Sequence, residues 1–196
     1  GDAGPDGLLA WTPRHEPEGR HPPLGIAKAE GPFGATDAAD RDLWAYLSGL
    51  DLIDRIELSG PVDEPVSWLL PDARTLIATA VFDHLWLKLL DVPAALAARR
   101  YAVPGELVLE VVDDTVAGVA GRYRLTAEDG HGVAEPTGAG PDLTLAQTAL
   151  AASYLGGVSL RAQRIAGTVT EHTPGALQRA DAMLATPLAP YNATGF

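Results

Sequence analysis

His15, His21, His84, His131 and His172 are the first residues to weigh for chemistry. A helical zinc site sets its ligands at a spacing that returns them to one face, and none of the five histidines has that pairing. They read as surface or internally hydrogen-bonded side chains. The chain has no cysteine, which excludes disulfides, thiolate metal sites and a catalytic thiol. Ser48, Ser59, Ser67, Ser153 and Ser159 all lack the Gly-x-Ser-x-Gly elbow of a serine hydrolase. Asp113-Asp114 and Glu128-Asp129 flank turns, where solvated acids are commoner than an acid–base pair. Gly138-Ala139-Gly140 is too short for a phosphate loop, and Pro141 removes one of the N–H groups such a loop uses. Asn192-Ala193-Thr194 matches a glycosylation sequon, which carries no weight without a secretory signal. Local spacing therefore declares no reaction.

Composition narrows the classes. The 196 residues are 46% hydrophobic and 20% charged, which suits a folded chain with one good core or two small ones. A net charge of −12 argues against non-specific nucleic-acid binding and against docking on an anionic membrane. It favours cationic partners only weakly. No apolar run approaches the roughly 20 residues of a membrane span. With no signal peptide visible, a cytoplasmic location is expected. The chain opens at Gly1 and its single methionine is Met183, which reads as a processed start or as the tail of something longer.

The elements that must position any site read as α+β in two parts, about 1–82 and 83–196. Leu8 to Trp11 and Leu24 to Ala27 read as strands around a Gly/Pro-rich loop. Thr36 to Leu50 is a helix capped by Thr36, with Asp37 and Asp40 at its positive end and Leu43, Leu47 and Leu50 on one face. Ile53 to Ser59 alternates as a half-buried strand. Glu64 to Leu70 could be strand or helix. Thr75 to Val81 and Leu85 to Leu90 read as two further strands.

In the second part, Pro93 to Arg100 is a short helix, and Glu106 to Asp113 and Gly121 to Ala127 are strands. Turn signals at Asp129-Gly130 and at Gly138 to Pro141 suit an antiparallel meander. Leu143 to Leu145 begins as a strand. Helices are expected up to Leu155, ended by Gly156-Gly157, then over Ser159 to Ala166, and after a Thr173-Pro174 cap with Leu177 and Leu184 one heptad apart. Thr186 to Phe196 is an extended tail.

Whole stretches add a family resemblance. Leu85-Trp86-Leu87-Lys88-Leu89-Leu90-Asp91-Val92-Pro93, continuing to Arg99-Arg100-Tyr101, resembles the start of the C-terminal domain of Eis-type (enhanced intracellular survival) acetyltransferases. Gly105 to Val111, Gly121 to Leu125, Asp142 to Leu145 and Tyr154-Leu155-Gly156-Gly157 resemble its sterol-carrier-like core. Ala185 to Tyr191 and on to Phe196 resembles the family's tail. Upstream, Leu43-Trp44, Leu50-Asp51-Leu52 and Pro61 to Pro65 look like the second half of the family's central domain.

The resemblance implies two tandem GNAT-type domains, a sterol-carrier-like domain and a hexameric assembly. On that pattern residues 1–82 would be the rear half of the central GNAT-like domain, a partial mixed sheet with helices. Residues 83–196 would be a sterol-carrier-like antiparallel sheet packed against helices. The family transfers acetyl from acetyl-CoA to amines, including lysine side chains and aminoglycosides. Its acetyl-CoA signature, Arg-x-x-Gly-x-Gly or Ala, does not occur here, so that site is expected in an N-terminal GNAT domain outside this chain, and the chain alone is expected to be inactive.

The resemblance also implies that the C-terminal carboxylate, here that of Phe196, is the general base. An alkylamine with a pKa near 10 is protonated at neutral pH and must lose a proton before attacking a thioester. The family's general acid, a tyrosine, belongs to the N-terminal domain, so Tyr46, Tyr101, Tyr123, Tyr154 and Tyr191 do not take that role. Gly195 stands where some members carry an acid, a departure that puts aminoglycoside preference in question. Two other readings stay open: a module holding an apolar ligand along the helix Gln147 to Leu155, whose residues could equally pack a core, and a purely structural assembly domain.

Overall fold

The computed structural model describes residues 4–15, 25–113 and 115–193. Phe196, His21 and Asp114 lie outside the described residues. The chain divides into two compact units, Gly1–Phe82 with Tyr191–Phe196, and Asp83–Pro190.

In the first unit, β1 (Gly7–His15), β2 (Gly25–Gly34) and β3 (Ile53–Ser59) form a mixed sheet in that order, with α1 (Asp37–Ser48) between β2 and β3. β1 and β2 are antiparallel, with Trp11 opposite Ala29; β2 and β3 are parallel, with Ala27 opposite Ile56. The capping expectation for α1 holds. Thr36 Oγ1 accepts from Ala39 N–H at 3.2 Å, Asp37 and Asp40 sit in the first turn, and Gly49 N–H donates to the carbonyls of Ala45 and Tyr46. Asp40 also accepts from Gly34 N–H at 2.6 Å. A Cβ on Gly34 would lie 2.5 Å from Asp40 N, so only glycine lets α1 start this close to β2. Trp44, Leu47, Ala27, Ala29 and Val66 form the small core.

Glu64 to Leu70 resolves into a short 3-10 turn over Pro65–Trp68 that buries Val66. The strands expected over Thr75 to Val81 and Leu85 to Leu90 do not form; a 3-10 turn at Ala73–Thr75 leads into chain with no ladder partner among the described residues. β-branched and aromatic residues favour strands because they pack on a neighbouring strand. Ile77, Val81, Leu85 and Trp86 have no such surface here and are exposed.

The second unit runs α2 (Val92–Ala98), β4 (Gly105–Val112), β5 (Gly121–Glu128), β6 (His131–Pro136), β7 (Leu143–Ala146), α3 (Gln147–Tyr154), α4 (Leu160–Ile165), β8 (Val169–Glu171) and α5 (Ala176–Leu184). Asp91 caps α2 by accepting from Ala94 N–H at 2.9 Å. Strand order is β6-β5-β4-β7-β8. Asp129 and Gly130, both at positive φ, close the β5–β6 hairpin.

The sheet is mixed, not antiparallel throughout, because β7 runs parallel to β4. β6 stops at Pro136 opposite Tyr123, which pairs with Leu109; β7 resumes opposite that same Leu109. Residues 137–142 therefore cross the sheet at one level, so β7 keeps the direction of β6. Asp142 fixes the arrival: its N–H donates to Val108 O and its Oδ2 accepts from Val108 N–H, both at 2.8 Å.

The cap of α5 also differs from expectation. Gly175, at φ 83, occupies the cap position, and the carboxylate of Glu171 on β8 accepts from Leu177 N–H at 3.0 Å. Thr173 contributes only its carbonyl, to Ala176 N–H. One core joins sheet and helices through Leu96, Leu109, Leu125, Leu150, Leu160 and Met183, all fully buried.

Candidate functional site: the tail and its seat

The tail starts where two helices end. α3 stops at Tyr154 and α5 at Leu184, each leaving carbonyls without intrahelical partners. One buried side chain serves both ends. Arg99 Nη1 donates to Tyr154 O and Nη2 to Leu184 O, each at 2.7 Å, while Nε donates to Arg100 O at 3.1 Å. Its guanidinium lies 5.1 Å from the Tyr101 ring centre and 5.8 Å from that of Tyr154. A planar cation suits two carbonyls at the negative ends of helices and an aromatic lining.

After α3, the Gly156-Gly157 pair reverses the chain, Gly156 at φ 85. The tail passes over it. A Cβ on Gly156 would fall 2.5 Å from Thr186 Oγ1, and one on Gly157 would fall 2.6 Å from Pro190 Cδ. Thr186 Oγ1 donates to Leu188 O at 2.8 Å, bending the segment locally. Tyr191 belongs to the first unit, where its hydroxyl donates to Ser59 O, at the end of β3, at 3.1 Å.

The other tyrosines are committed as well. Tyr101 donates to Leu96 O, Tyr123 to Val119 O and Tyr154 to Ala95 O, while Tyr46 is exposed on α1. Burial pushes the Tyr101 phenol well above its usual range, so it is a poor acid at neutral pH.

Several further polar residues make structural pairs. Glu110 accepts from Arg122 at 2.8 Å and from Thr144 at 2.9 Å; Thr144 also meets His172 Nε2 at 2.8 Å. The Arg122 and Thr144 hydrogen bonds hold Glu110 below the ordinary carboxylate range. His131 lies against Arg100. Asp113 accepts from Thr115 and pairs with Lys88 at 2.9 Å. Among the described residues no three His, Asp or Glu side chains gather to hold a metal. No helix of the described residues is long and apolar enough to cross a membrane.

Sequence reasoning missed Arg99 and the contact of Pro190 with Gly157. The available signal for Arg99 was its place beside the aromatic Tyr101 at the end of an apolar helix.

Comparison with known proteins gives the context of this tail. Residues 92–193 match the sterol carrier protein domain family, and residues 1–92 match the acetyltransferase (GNAT) domain family. Eis1 from Mycobacterium abscessus superposes with a TM-score of 0.86 at 33% identity, over 98% of this chain and 49% of that one. The chain belongs to the sterol carrier protein domain family, and its homologues are Eis-like N-acetyltransferases. The resemblance drawn from the sequence is thus borne out. An uncharacterised N-acetyltransferase from Streptomyces avermitilis is 41% identical over 84% of this chain and 39% of its own length. N-acetyltransferase Eis from Mycobacterium tuberculosis is 34% identical over 83% of this chain and 40% of its own. A GCN5-related N-acetyltransferase from Kribbella flavida has a TM-score of 0.68 at 28% identity, over 87% and 44%. The chain spans less than half the length of each of these relatives.

Proposed function

We propose that this chain is the C-terminal portion of an acetyl-CoA-dependent N-acetyltransferase acting on amines of the lysine or aminoglycoside type. Residues 1–82 are the rear half of a central GNAT-like domain, and residues 83–196 a sterol-carrier-like domain with its tail. The acetyl-CoA site and the tyrosine acid belong to a preceding GNAT domain. The α-carboxylate of Phe196 takes the proton from the amine, directly or through water, so that the free lone pair attacks the thioester carbonyl. The whole assembles as a homo-oligomer, a hexamer by family.

The collinear match to Eis-like proteins over nearly the whole chain carries this reading. Two features of the described residues support it. The buried arginine, Arg99, is pinned to three carbonyls and is not free for a pyrophosphate. Four tyrosine hydroxyls are already donating to backbone carbonyls, as expected if the acid comes from elsewhere.

A lipid-carrying role finds less support. α3 buries Ala149, Leu150 and Ala151 in the core. A recess of about 130 Å³ between Gly156, Ser159, Asp181 and Leu184 falls well short of the roughly 300 Å³ that ligand pockets start from.

The test is acetyl-CoA calorimetry and acetyl transfer, run on the isolated chain and on the full-length polypeptide. The expected result is binding and turnover only in the latter. One-to-one binding by the isolated chain would overturn the assignment.

A further inference from the structure

Residues 76–81 read Leu-Ile-Ala-Thr-Ala-Val, and from Thr75 to Phe82 the chain carries no charge, no proline and no glycine. Ile77, Thr79 and Val81 are all β-branched and recur at the strand period of two, a pattern suited to a sheet with at least one covered face. Here both faces are open. Ile77 is 74% exposed and Val81 80%, and Ala78, Thr79 and Ala80 between them are exposed as well. Among the described residues, the backbone of 77–81 joins no ladder and makes no other backbone hydrogen bond. The two edge strands of the same unit are guarded: β1 carries Pro13 and Arg14, and β3 carries Asp54, Arg55 and Glu57. Charge and proline keep an open edge from recruiting another strand. The segment 76–81 has neither, and a bare apolar run of this kind is an aggregation hazard unless it is paired.

We infer that residues 76–81 are a β-strand that adds to a sheet edge in the part of the same polypeptide preceding this chain. This rests on the proposed function, in which a GNAT domain comes before Gly1, and goes further by naming the segment that joins it. Two findings favour that occupant over a second copy. The segment lies inside the match of residues 1–92 to the acetyltransferase (GNAT) domain family, so it belongs to that domain, and strands of one domain pair within one polypeptide. The chain also covers less than half the length of its relatives, which leaves at least as much chain again to supply the edge. Main-chain hydrogen bonds give such an addition its strength, and the alternating side chains give it its register.

Hydrogen exchange of the full-length enzyme, read by mass spectrometry, tests this at the backbone itself. The amides of 77–81 are expected to exchange about 100-fold more slowly there than in the 196-residue chain alone. Thr79→Pro removes one ladder donor from the middle of the segment. In the full-length enzyme it should return 77–81 to fast exchange while β4 and β5 keep their protection, which separates loss of the strand from general unfolding.

Fast exchange at 77–81 in the wild-type full-length enzyme overturns the strand, and that comparison decides even where Thr79→Pro unfolds the protein. Slow exchange that survives Thr79→Pro overturns the pairing, because cover without a ladder then accounts for it. Slow exchange that appears in the 196-residue chain as its concentration rises overturns the occupant in favour of a second copy. Acetyl-CoA binding, measured on the same full-length preparation, keeps the underlying reading separate. Binding beside fast exchange at 77–81 overturns the strand and leaves the enzyme reading; protection without binding supports the strand and overturns the enzyme reading.

Discussion

The two units bury their apolar residues very differently. In the second, sheet and helices share one core running from Leu89 to Leu184, and Asp181, Glu171 and Arg99 reach helix ends from other elements. Asp181 on α5, for example, accepts from Leu160 N–H at 2.6 Å at the start of α4. In the first, a three-stranded sheet carries one helix over a core cluster of five buried residues among those described, while Val62, Trp68, Ile77 and Val81 are exposed. Three strands and a helix are near the minimum for independent stability. The second unit has what a free-standing domain needs, whereas the first has the composition of a domain and only part of its burial.

The largest expected effect tests that difference in the core. Leu150, fully buried on α3, should cost about 3 kcal/mol on replacement by alanine, read by urea unfolding of the second unit. Leu47→Ala in the first unit should cost less, since its smaller core can collapse around the gap. Equal losses would break the comparison. Next comes Arg99→Met, which strands the carbonyls of Tyr154 and Leu184. A loss of about 2 to 3 kcal/mol is expected, with Arg99→Lys recovering part of it.

Acid should move the units in opposite directions. Burial and the neighbouring Asp40 charge raise the Glu64 carboxyl above its ordinary value, so folding favours its protonated form. Glu64 therefore contributes stability to the first unit as the pH falls from neutrality through that raised value. In the second unit, Arg122 and Thr144 depress Glu110. Burial pushes Asp142 up, but the Thr173 hydroxyl and Val108 N–H outweigh it and leave it depressed. Their contribution is present above the unfolded carboxylate range, near about pH 4, and is lost as the pH falls through the folded values. Hydrogen exchange between about pH 7 and pH 3 would show this as a narrowing gap between the units. Parallel loss in both would contradict it. The smallest effect is Glu106→Gln, which removes an exposed pair with Arg124 and should change stability by no more than about 0.5 kcal/mol.

What could be read in the sequence follows the range of the interactions. Thr36, Asp37 and Asp40 act within the first turn of α1, and their roles were visible as written. Asp129-Gly130 announced its hairpin for the same reason. The strands expected near Thr75 and Leu85 failed because strand propensity is a promise of a partner, and none is supplied among the described residues. β8 escaped notice because it is only three residues long, and the cap on Leu177 because Glu171 reaches it from that strand. The parallel β7 depended on a crossing anchored at Val108, 34 residues before Asp142. At the candidate site, Gly156-Gly157 was legible as a helix stop, but its second use was not, since Pro190 lies far along the chain.

The central claim is that the last residue of this chain is the base of an acetyl transfer. Deleting Phe196 from the full-length enzyme and following amine acetylation tests it most directly. The account predicts a fall in kcat of about 100-fold, with the melting temperature and acetyl-CoA affinity unchanged. An undiminished kcat would contradict it.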